Sequence, residues 1–463
     1  MGASKVASAI QSSQALETYA EAFSVFEKEA IGRELPWLRK LRQEGFDRFN
    51  AVGFPTTRDE DWRFTNLSAI AQTPFRMVRN PHTLPSARQI EPFRMVGAAC
   101  TLVFIDGCFA PSLSSIGQLP RGVTVASLSA EIAKNPSAIE PHLGRYLSVQ
   151  RDPFCALNTA FIEDGAYIHV AKSVVLEAPI YLLYVSTAHE FPVVSHPRNL
   201  IVAEENSQAT IVEDYVSLGG KALCNTVTEL VAADQSIVAH YMIEREDAQS
   251  FNVSTLRIQQ GRAADVASHS VLVGAALVRN SVHPVLNGEG GECLINGLFV
   301  GSDRQHLDNY MLVEHASPHC ASRQFYTGIL AEHAHGVFHG RIIVHKDAQK
   351  TDAKQTNRNL LLSDTAQIDT KPQLEIYADD VKCTHGATIG QIEEDALFYL
   401  RSRGIDEASA RRLLLTAFAN ECLDRMKEGP ARTHVDSLIQ NYVASVTGSA
   451  PIQASPAAVG EVK

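Results

Sequence analysis

The chain has 463 residues, enough for about three average domains, and 45% of them are hydrophobic, so it can bury a large core. A net charge of −11 and an isoelectric point near 5.9 argue against broad binding to nucleic acids or anionic membranes. No apolar run approaches the roughly 20 residues that span a bilayer, and the first residues lack the apolar segment of a signal peptide. We therefore expect a cytoplasmic protein with no nucleic-acid or membrane partner.

The eight cysteines are scattered, and none forms a CxxC or CxC motif. In the cytoplasm they are expected to stay reduced, so a disulfide framework is not predicted. An iron–sulfur site of the ferredoxin type needs about four thiolates, several of them close in sequence. The chain is therefore not expected to hold such a cluster alone.

The first part of the chain is predicted to be helical. Leu16, Phe23 and Phe26 fall on one face at helical spacing. We predict an N-terminal helical region and loop at 1–100, followed by a connecting α/β segment at 101–165.

The sequence pattern changes between 166 and 390, where short runs of β-branched residues alternate with clusters of turn-forming residues. The main clusters recur at intervals of about 28 residues, near 205, 234, 261 and 289. No helical crossover separates the runs, which argues against βαβ units. The pattern predicts a mostly β protein whose core, 166–390, is a stacked β-solenoid; an ordinary β-sandwich is the alternative.

Helical spacing returns at 391–447, which we predict to be a C-terminal helical domain. Gly404 is placed to end one helix at its C′ position, and Asp406 is placed to cap the next. The final stretch, 448–463, is rich in small residues and is predicted to be disordered.

The second of these helices is predicted to bury one apolar face. Residues at helical spacing form that face: Ala410, Leu413, Leu414, Ala417 and Phe418. Arg411 and Arg412 would then lie on a polar face that is open to a partner, or that is simply solvated.

Cys383 and His385 stand two residues apart in the stretch DDVKCTHGATIG, which is predicted to be a strand. Residues at i and i+2 of a strand share a face, with Cα atoms about 6.6–6.8 Å apart. This is long for a hydrogen-bonded nucleophile and base but suits two arms that converge on one metal ion. The alternative is a structural cysteine beside a surface histidine, and two ligands would in any case need others from elsewhere.

A histidine-rich stretch precedes this pair. Its potential soft ligands are His306, His315, His319, Cys320, His333, His335, His339 and His345. His333 and His335 have the same i, i+2 spacing, so a metal site is conceivable. The alternative is a set of hydrogen-bonded residues at the edges of the solenoid.

The stretch HKDAQKTDAKQTNRNLLLSDTAQIDTKPQLEIYADDVKCTHGATIGQIEEDALFYLRSRGI, residues 345–405, resembles the SufB/SufD family. This family supplies the scaffold subunits of the SUF iron–sulfur cluster assembly system. Weaker similarity reaches upstream to FPTTRDEDWRFTNL and covers most of the chain. The segment KCTHGAT resembles the D-type rather than the B-type subunit. The chain departs from the family pattern at His339, where asparagine is commoner, and this leaves the histidine-rich stretch unassigned.

The resemblance implies a right-handed parallel β-helix between helical N- and C-terminal regions, in a protein that is not an enzyme. It implies pairing with a SufB-type subunit through the edges of the β-helix, and binding of a SufC-type ABC ATPase by the C-terminal helices, where Arg411 and Arg412 are the candidate contacts. It further implies that Cys383 and His385 lie where a transient iron–sulfur cluster is shared with the partner. The sequence leaves open whether a flavin takes part in the complex and whether the isolated chain forms a homodimer.

Two other classes of protein remain open from the residues alone. One is a solenoid-type transferase with a histidine as general base, although strict hexapeptide periodicity is not seen. The other is a metal-dependent enzyme that uses the histidines of 306–345.

Overall fold

The structure, a computed structural model, describes residues 2–79 and 84–446, with side chains described between 16 and 444. The tail predicted to be disordered, 448–463, lies outside these residues. The helices are α1 (Gly2–Glu29), α2 (Pro36–Val52), α3 (Ser68–Ala71), α4 (Ala87–Ile90), α5 (Leu128–Lys134), α6 (Pro136–Ile139), α7 (Pro153–Ala160), α8 (Glu394–Ser402), α9 (Glu407–Leu423) and α10 (Pro430–Val446).

Most of the strands lie between the helical regions. They are β1 (Arg76–Met77), β2 (Cys100–Ile105), β3 (Cys108–Phe109), β4 (Ser115–Ile116), β5 (Val123–Ser127), β6 (Ala166–Val170), β7 (Ile180–Ser186), β8 (Val193–Ser195), β9 (Arg198–Ala203), β10 (Gln208–Ser217), β11 (Ala222–Ala232), β12 (Ile237–Glu244), β13 (Phe251–Gln260), β14 (Asp265–Leu272), β15 (Leu277–Leu286), β16 (Glu292–Gly301), β17 (His306–His315), β18 (Ala321–Leu330), β19 (His335–Val344), β20 (Asp352–Leu361), β21 (Gln367–Ile376) and β22 (Lys382–Gly390).

From β9 onward, consecutive strands go alternately to two sheets. Sheet A has the order β21-β19-β17-β15-β13-β11-β9-β6-β5, and sheet B has the order β22-β20-β18-β16-β14-β12-β10-β7-β2-β3. In sheet B, Gln208 pairs with Ile237 and Ile237 pairs with Asp265, so the rungs are 29 and 28 residues long. The parallel β-solenoid, of about eight turns, is confirmed, and the β-sandwich alternative is wrong.

The turns of the solenoid stack on one another through backbone hydrogen bonds. Asn206 and Gln235 both adopt a left-handed backbone, with φ of 58° and 59°. Their N–H groups donate to the carbonyls of Asp234 and Arg262 in the next rung, at 3.0 and 2.8 Å. The turn-rich clusters therefore recur because each rung repeats the same corner.

The inward faces of the two sheets enclose one apolar core that runs the length of the solenoid. Its buried members include Ile211, Val266, Ile295, Leu307 and Phe338. N-terminal helices pack on the outer face of sheet A, and α9 and α10 pack on the outer face of sheet B.

The predicted buried face of α9 is partly wrong. Leu413 is 50% exposed and Ala417 is exposed, whereas Leu415 and Ala419 are fully buried against sheet B. Three consecutive leucines, Leu413-Leu414-Leu415, place an apolar side chain on several faces of the helix. Of these, Leu415 is the one that packs against sheet B. The predicted helix ends are confirmed: the Asp406 side chain accepts from the Ser409 N–H, and Gly404 adopts φ 87° after α8.

The two ends of the solenoid differ. At one end β2, from the segment expected to connect the two regions, joins sheet B beside β7 and pairs antiparallel with β3 and β4. At the same end β5 pairs antiparallel with β6. At the other end β21 pairs with β19 alone and β22 with β20 alone among the described strands. The last rung therefore has an open edge in both sheets.

Candidate functional site

The last strand, β22, has one hydrogen-bonded side and one free side. The N–H of Lys382 donates to the carbonyl of Thr351 before β20, at 2.8 Å, and the register runs without a bulge to Gly390. Because alternate residues of a strand direct both backbone groups to the same side, Cys383 and His385 direct their N–H and C=O groups to the free edge.

The side chains of Cys383 and His385 stand on the inward face of the open rung. Their partners on β20 are Ala353 and Gln355, each 1% exposed within the solenoid. Cys383 is half-buried and packs against the apolar core, whereas His385 is exposed because no further rung covers it. The structure thus places both residues on one strand face at the end of the interior.

The two side chains differ in their readiness to bind a metal ion. Burial raises the pKa of the Cys383 thiol, and the nearby carboxylate of Asp352 raises it further. A thiol must lose its proton to bind a metal, so Cys383 needs a bound cation or a partner to become a thiolate. A histidine binds metal ions through a nitrogen of its imidazole ring.

The remaining ligands of such an ion are not supplied at this place by the described part of the chain. Within residues 2–79 and 84–446, no group of three or more His, Cys, Asp or Glu side chains is arranged to hold a metal ion. At β22 the two side chains therefore stand at an edge that has no neighbouring strand among the described residues.

The histidine-rich stretch is distributed over different surfaces. His306 and His335 lie on the outer face of sheet A, with ring centroids 4.8 Å apart. His306 Nε2 lies 2.9 Å from Thr65 Oγ1, His335 Nε2 lies 2.8 Å from Asp369 Oδ2, and burial lowers the pKa of His306 to about 4.

The other histidines of this stretch also have separate surroundings. His315 is buried, with Nε2 2.8 Å from Ser322 Oγ, and burial lowers its pKa to about 4. His339 bonds to Gln373, and His345 lies beside Glu314. The metal site considered for this stretch has no support among the described residues.

Arg411 lies at an open groove between the last rung and the C-terminal helices. Its guanidinium bonds to Glu407 one turn earlier, at 3.1 Å. The groove has a volume of about 490 Å³, and Phe398 and Arg401 of α8 also line it. Phe398 is 73% exposed. Arg412 is half-buried on α9.

A buried polar row inside the solenoid was not predicted from the sequence. Gln324 and Gln355 are in register on β18 and β20, each 1% exposed, and Gln355 Nε2 donates to Gln324 Oε1 at 2.8 Å. In KQTNRN, residues 354–359, polar residues occupy both faces of the strand. The inward positions therefore have the same sequence pattern as an exposed face.

The described residues form a β-solenoid protein that is capped at one end and carries Cys383 and His385 on its last strand at the other end. The chain matches the family described as SUF system FeS cluster assembly, SufBD core domain, over residues 184–418, and the SufBD protein N-terminal region over 13–182. The chain belongs to the SufBD family.

Similar proteins carry corresponding names. An iron–sulfur cluster assembly SufBD family protein of Synechocystis is 34% identical, over 85% of this chain and 89% of the relative. The iron–sulfur cluster assembly protein SufD of Escherichia coli is 31% identical, over 83% and 88%. SufD of Bacillus subtilis is 24% identical, over 89% and 95%. The chain therefore has a role in iron–sulfur cluster assembly. No helix among the described residues is long and apolar enough to cross a membrane.

Proposed function

We propose that this chain is a non-catalytic scaffold subunit of the D type. In this proposal it pairs with a SufB-type subunit at the open end of its solenoid and binds a SufC-type ABC ATPase through its C-terminal helices. The iron–sulfur cluster is cargo, held transiently between the two scaffold chains. Participation of a flavin and a cytoplasmic location stay predictions.

The observation that carries the proposal is the position of Cys383 and His385. Both stand on the inward face of a strand that lacks a neighbour on one side among the described residues. A second solenoid added at this edge would cover the two side chains and bring its own ligands to them. A site divided between two chains suits a cluster that must later be released, because separating the chains removes part of the ligand set.

The free edge of β22 is better suited to strand pairing than that of β21. The N–H groups of Gln367 in β21 and of Tyr377 just after it donate to the carbonyls of Ala334 and Val344 beside and in β19, so the nitrogen of Pro372 faces the free edge. Proline has no N–H, and the outward row of donors in β21 is interrupted there. The outward row of β22 has no proline. The same edge could receive a second copy of this chain, which would give a homodimer in isolation.

The C-terminal helices offer the surface that we assign to the ATPase. Phe398 and Tyr399 of α8 are 73% and 57% exposed, and Leu413 of α9 is 50% exposed. Exposed apolar side chains on helices that also carry Arg411 and Arg412 favour a protein-binding surface.

The test is cluster assembly in the complex formed with the partner subunits. His385→Ala should abolish or strongly reduce the iron and sulfide bound per complex, while the complex still forms. Cys383→Ala should have a weaker effect, because the thiol is the poorer ligand. Thr384→Ala is the matched control, since Thr384 is exposed on the opposite face of the same strand. A His385→Ala complex that builds clusters at the wild-type rate contradicts the ligand assignment.

A further inference from the structure

In the side-chain amide of Gln355, the nitrogen makes a hydrogen bond and the oxygen does not. Its Nε2 donates to Gln324 Oε1 at 2.8 Å, but its Oε1 is buried and has no hydrogen-bond partner among the described residues. Buried polar atoms nearly always have a partner, and an unpaired one costs about 1–3 kcal/mol. We therefore expect a hydrogen-bond donor to approach this oxygen.

The nitrogen side of this amide is closely packed. On its nitrogen side the amide lies against Gly340 of β19, where a Cβ atom would collide with Gln355 Nε2. Gln324 engages the same nitrogen from the rung below. With its nitrogen bonded to Gln324, Gln355 has its amide oxygen left for another contact.

The residue in register with Gln355 on the next strand is His385. Neighbouring strands lie about 4.8 Å apart, so side chains that are in register on one face touch. His385 is exposed and makes no hydrogen bond in the present arrangement of the described residues. The register makes a ring N–H of His385 a candidate donor for Gln355 Oε1.

We infer that Gln355 is a positioning residue for His385. Its Oε1 accepts a hydrogen bond from one ring nitrogen of His385, which fixes the tautomer and leaves the lone pair of the other nitrogen free for a ligand bond. Such second contacts orient metal-binding histidines in many proteins, and their removal typically lowers metal affinity or activity about 10–100-fold. The ligand role of His385 rests on the proposed function, whereas the hydrogen bond to Gln355 does not.

The test is the tautomer of His385 in the full-length chain, alone and in the complex with its partners. The chain is labelled with ¹⁵N-histidine, and the His385 signals are identified by their loss in His385→Ala. At pH 8 the wild-type chain should show one protonated and one unprotonated ring nitrogen at His385. Gln355→Leu should bring the two ¹⁵N shifts toward each other, because both tautomers become populated.

Two further variants separate positioning from folding. Gln355→Glu keeps an acceptor at the same place and should retain the single tautomer. Gln373→Leu is the matched control, because the Gln373 amide bonds to His339 on the outer face of the same rung and should leave His385 unchanged. If Gln355→Leu does not fold, Gln355→Met carries the same expectation, since its flexible apolar chain fits the same space.

The outcomes are independent of those that test the proposed function. A folded Gln355→Leu or Gln355→Met chain with unchanged His385 ¹⁵N shifts overturns the inference, even if His385→Ala abolishes cluster assembly. If the inference holds, Gln355→Leu should also slow cluster assembly in the complex at least about tenfold, and Gln355→Glu should restore it.

Discussion

Replacing Ala387 with proline removes one N–H group from the free edge of β22. Residues 382, 384 and 386 direct their backbone groups to β20, so those of Ala387 point outward. The preceding residue is Gly386, which has no Cβ to clash with the proline ring. The hydrogen bonds between β20 and β22 should therefore survive the substitution.

The size of the effect follows from the bond that a partner strand would make there. Losing one backbone hydrogen bond costs about 0.5–1.5 kcal/mol, and leaving the partner's carbonyl buried without a donor costs about 1–3 kcal/mol. A total near 2 kcal/mol corresponds to about a thirtyfold loss of affinity for the SufB-type subunit. The free energy of unfolding of the isolated chain should change little, because no described strand pairs with this edge of β22.

The assay compares binding and stability in a pair of variants. Affinity for the SufB-type subunit is measured by calorimetry, and stability of the isolated chain by denaturant unfolding. Gly386→Pro is the matched control: it removes an N–H that points to β20 and should destabilise the isolated chain itself. An Ala387→Pro chain that binds the partner with wild-type affinity would refute pairing along β22.

Three further predictions concern buried and exposed charges. Arg198→Met should lower the free energy of unfolding by about 3–5 kcal/mol in denaturant titrations, because it leaves the buried carboxylate of Glu229 without its cation. Arg411→Glu combined with Arg412→Glu should weaken ATPase binding and lower its stimulated hydrolysis rate. Burial lowers the pKa of His269 to about 3, below its value of about 6.5 in the unfolded chain. The unfolded chain thus binds more protons below pH 6.5, and stability should fall by about 2 kcal/mol from this residue between pH 7 and 5; His269→Gln should remove that part of the slope.

Each of these predictions has a control within the chain. Arg262→Met breaks a solvent-exposed ion pair and should change stability by less than about 1 kcal/mol. Arg39→Glu reverses an exposed charge on α2 and should leave ATPase binding unchanged. His333→Gln alters an exposed turn residue and should leave the pH dependence as it is. Equal effects in a variant and its control would contradict the corresponding argument.

The sequence predicted the solenoid because its turns repeat, and each turn carries the residues that its backbone requires. It also predicted that Cys383 and His385 share a face, since that follows from the period of a strand. The two-residue period of a strand does not show which face points inward. It also does not show that β22 is the last strand, because the residues of β22 resemble those of the strands before it. Those facts depend on how many rungs precede it and on what lies beyond it.

The phase of α9 shows the same limit for a helix. Leu413, Leu414 and Leu415 are equally apolar, and only the surface of sheet B distinguishes them. The role of Gln355 was hidden for a related reason: a polar residue inside a solenoid has the same pattern as one on its surface. Local periodicity therefore located the elements, and long-range contacts decided which side of each element matters.

The difference between the two ends of the solenoid limits the number of chains that can join. The closed end finishes in β3 and β4, of two residues each, and in the antiparallel β5, and such short strands are poor templates for another chain. A solenoid with two matching open ends would add copies without limit and grow into a fibre, as head-to-tail contacts do when they do not close. If the open end is the site of pairing, as proposed above, one junction there leaves no second matching edge among the described strands. The capping of the other end would then limit the size of the assembly and disfavour open-ended growth.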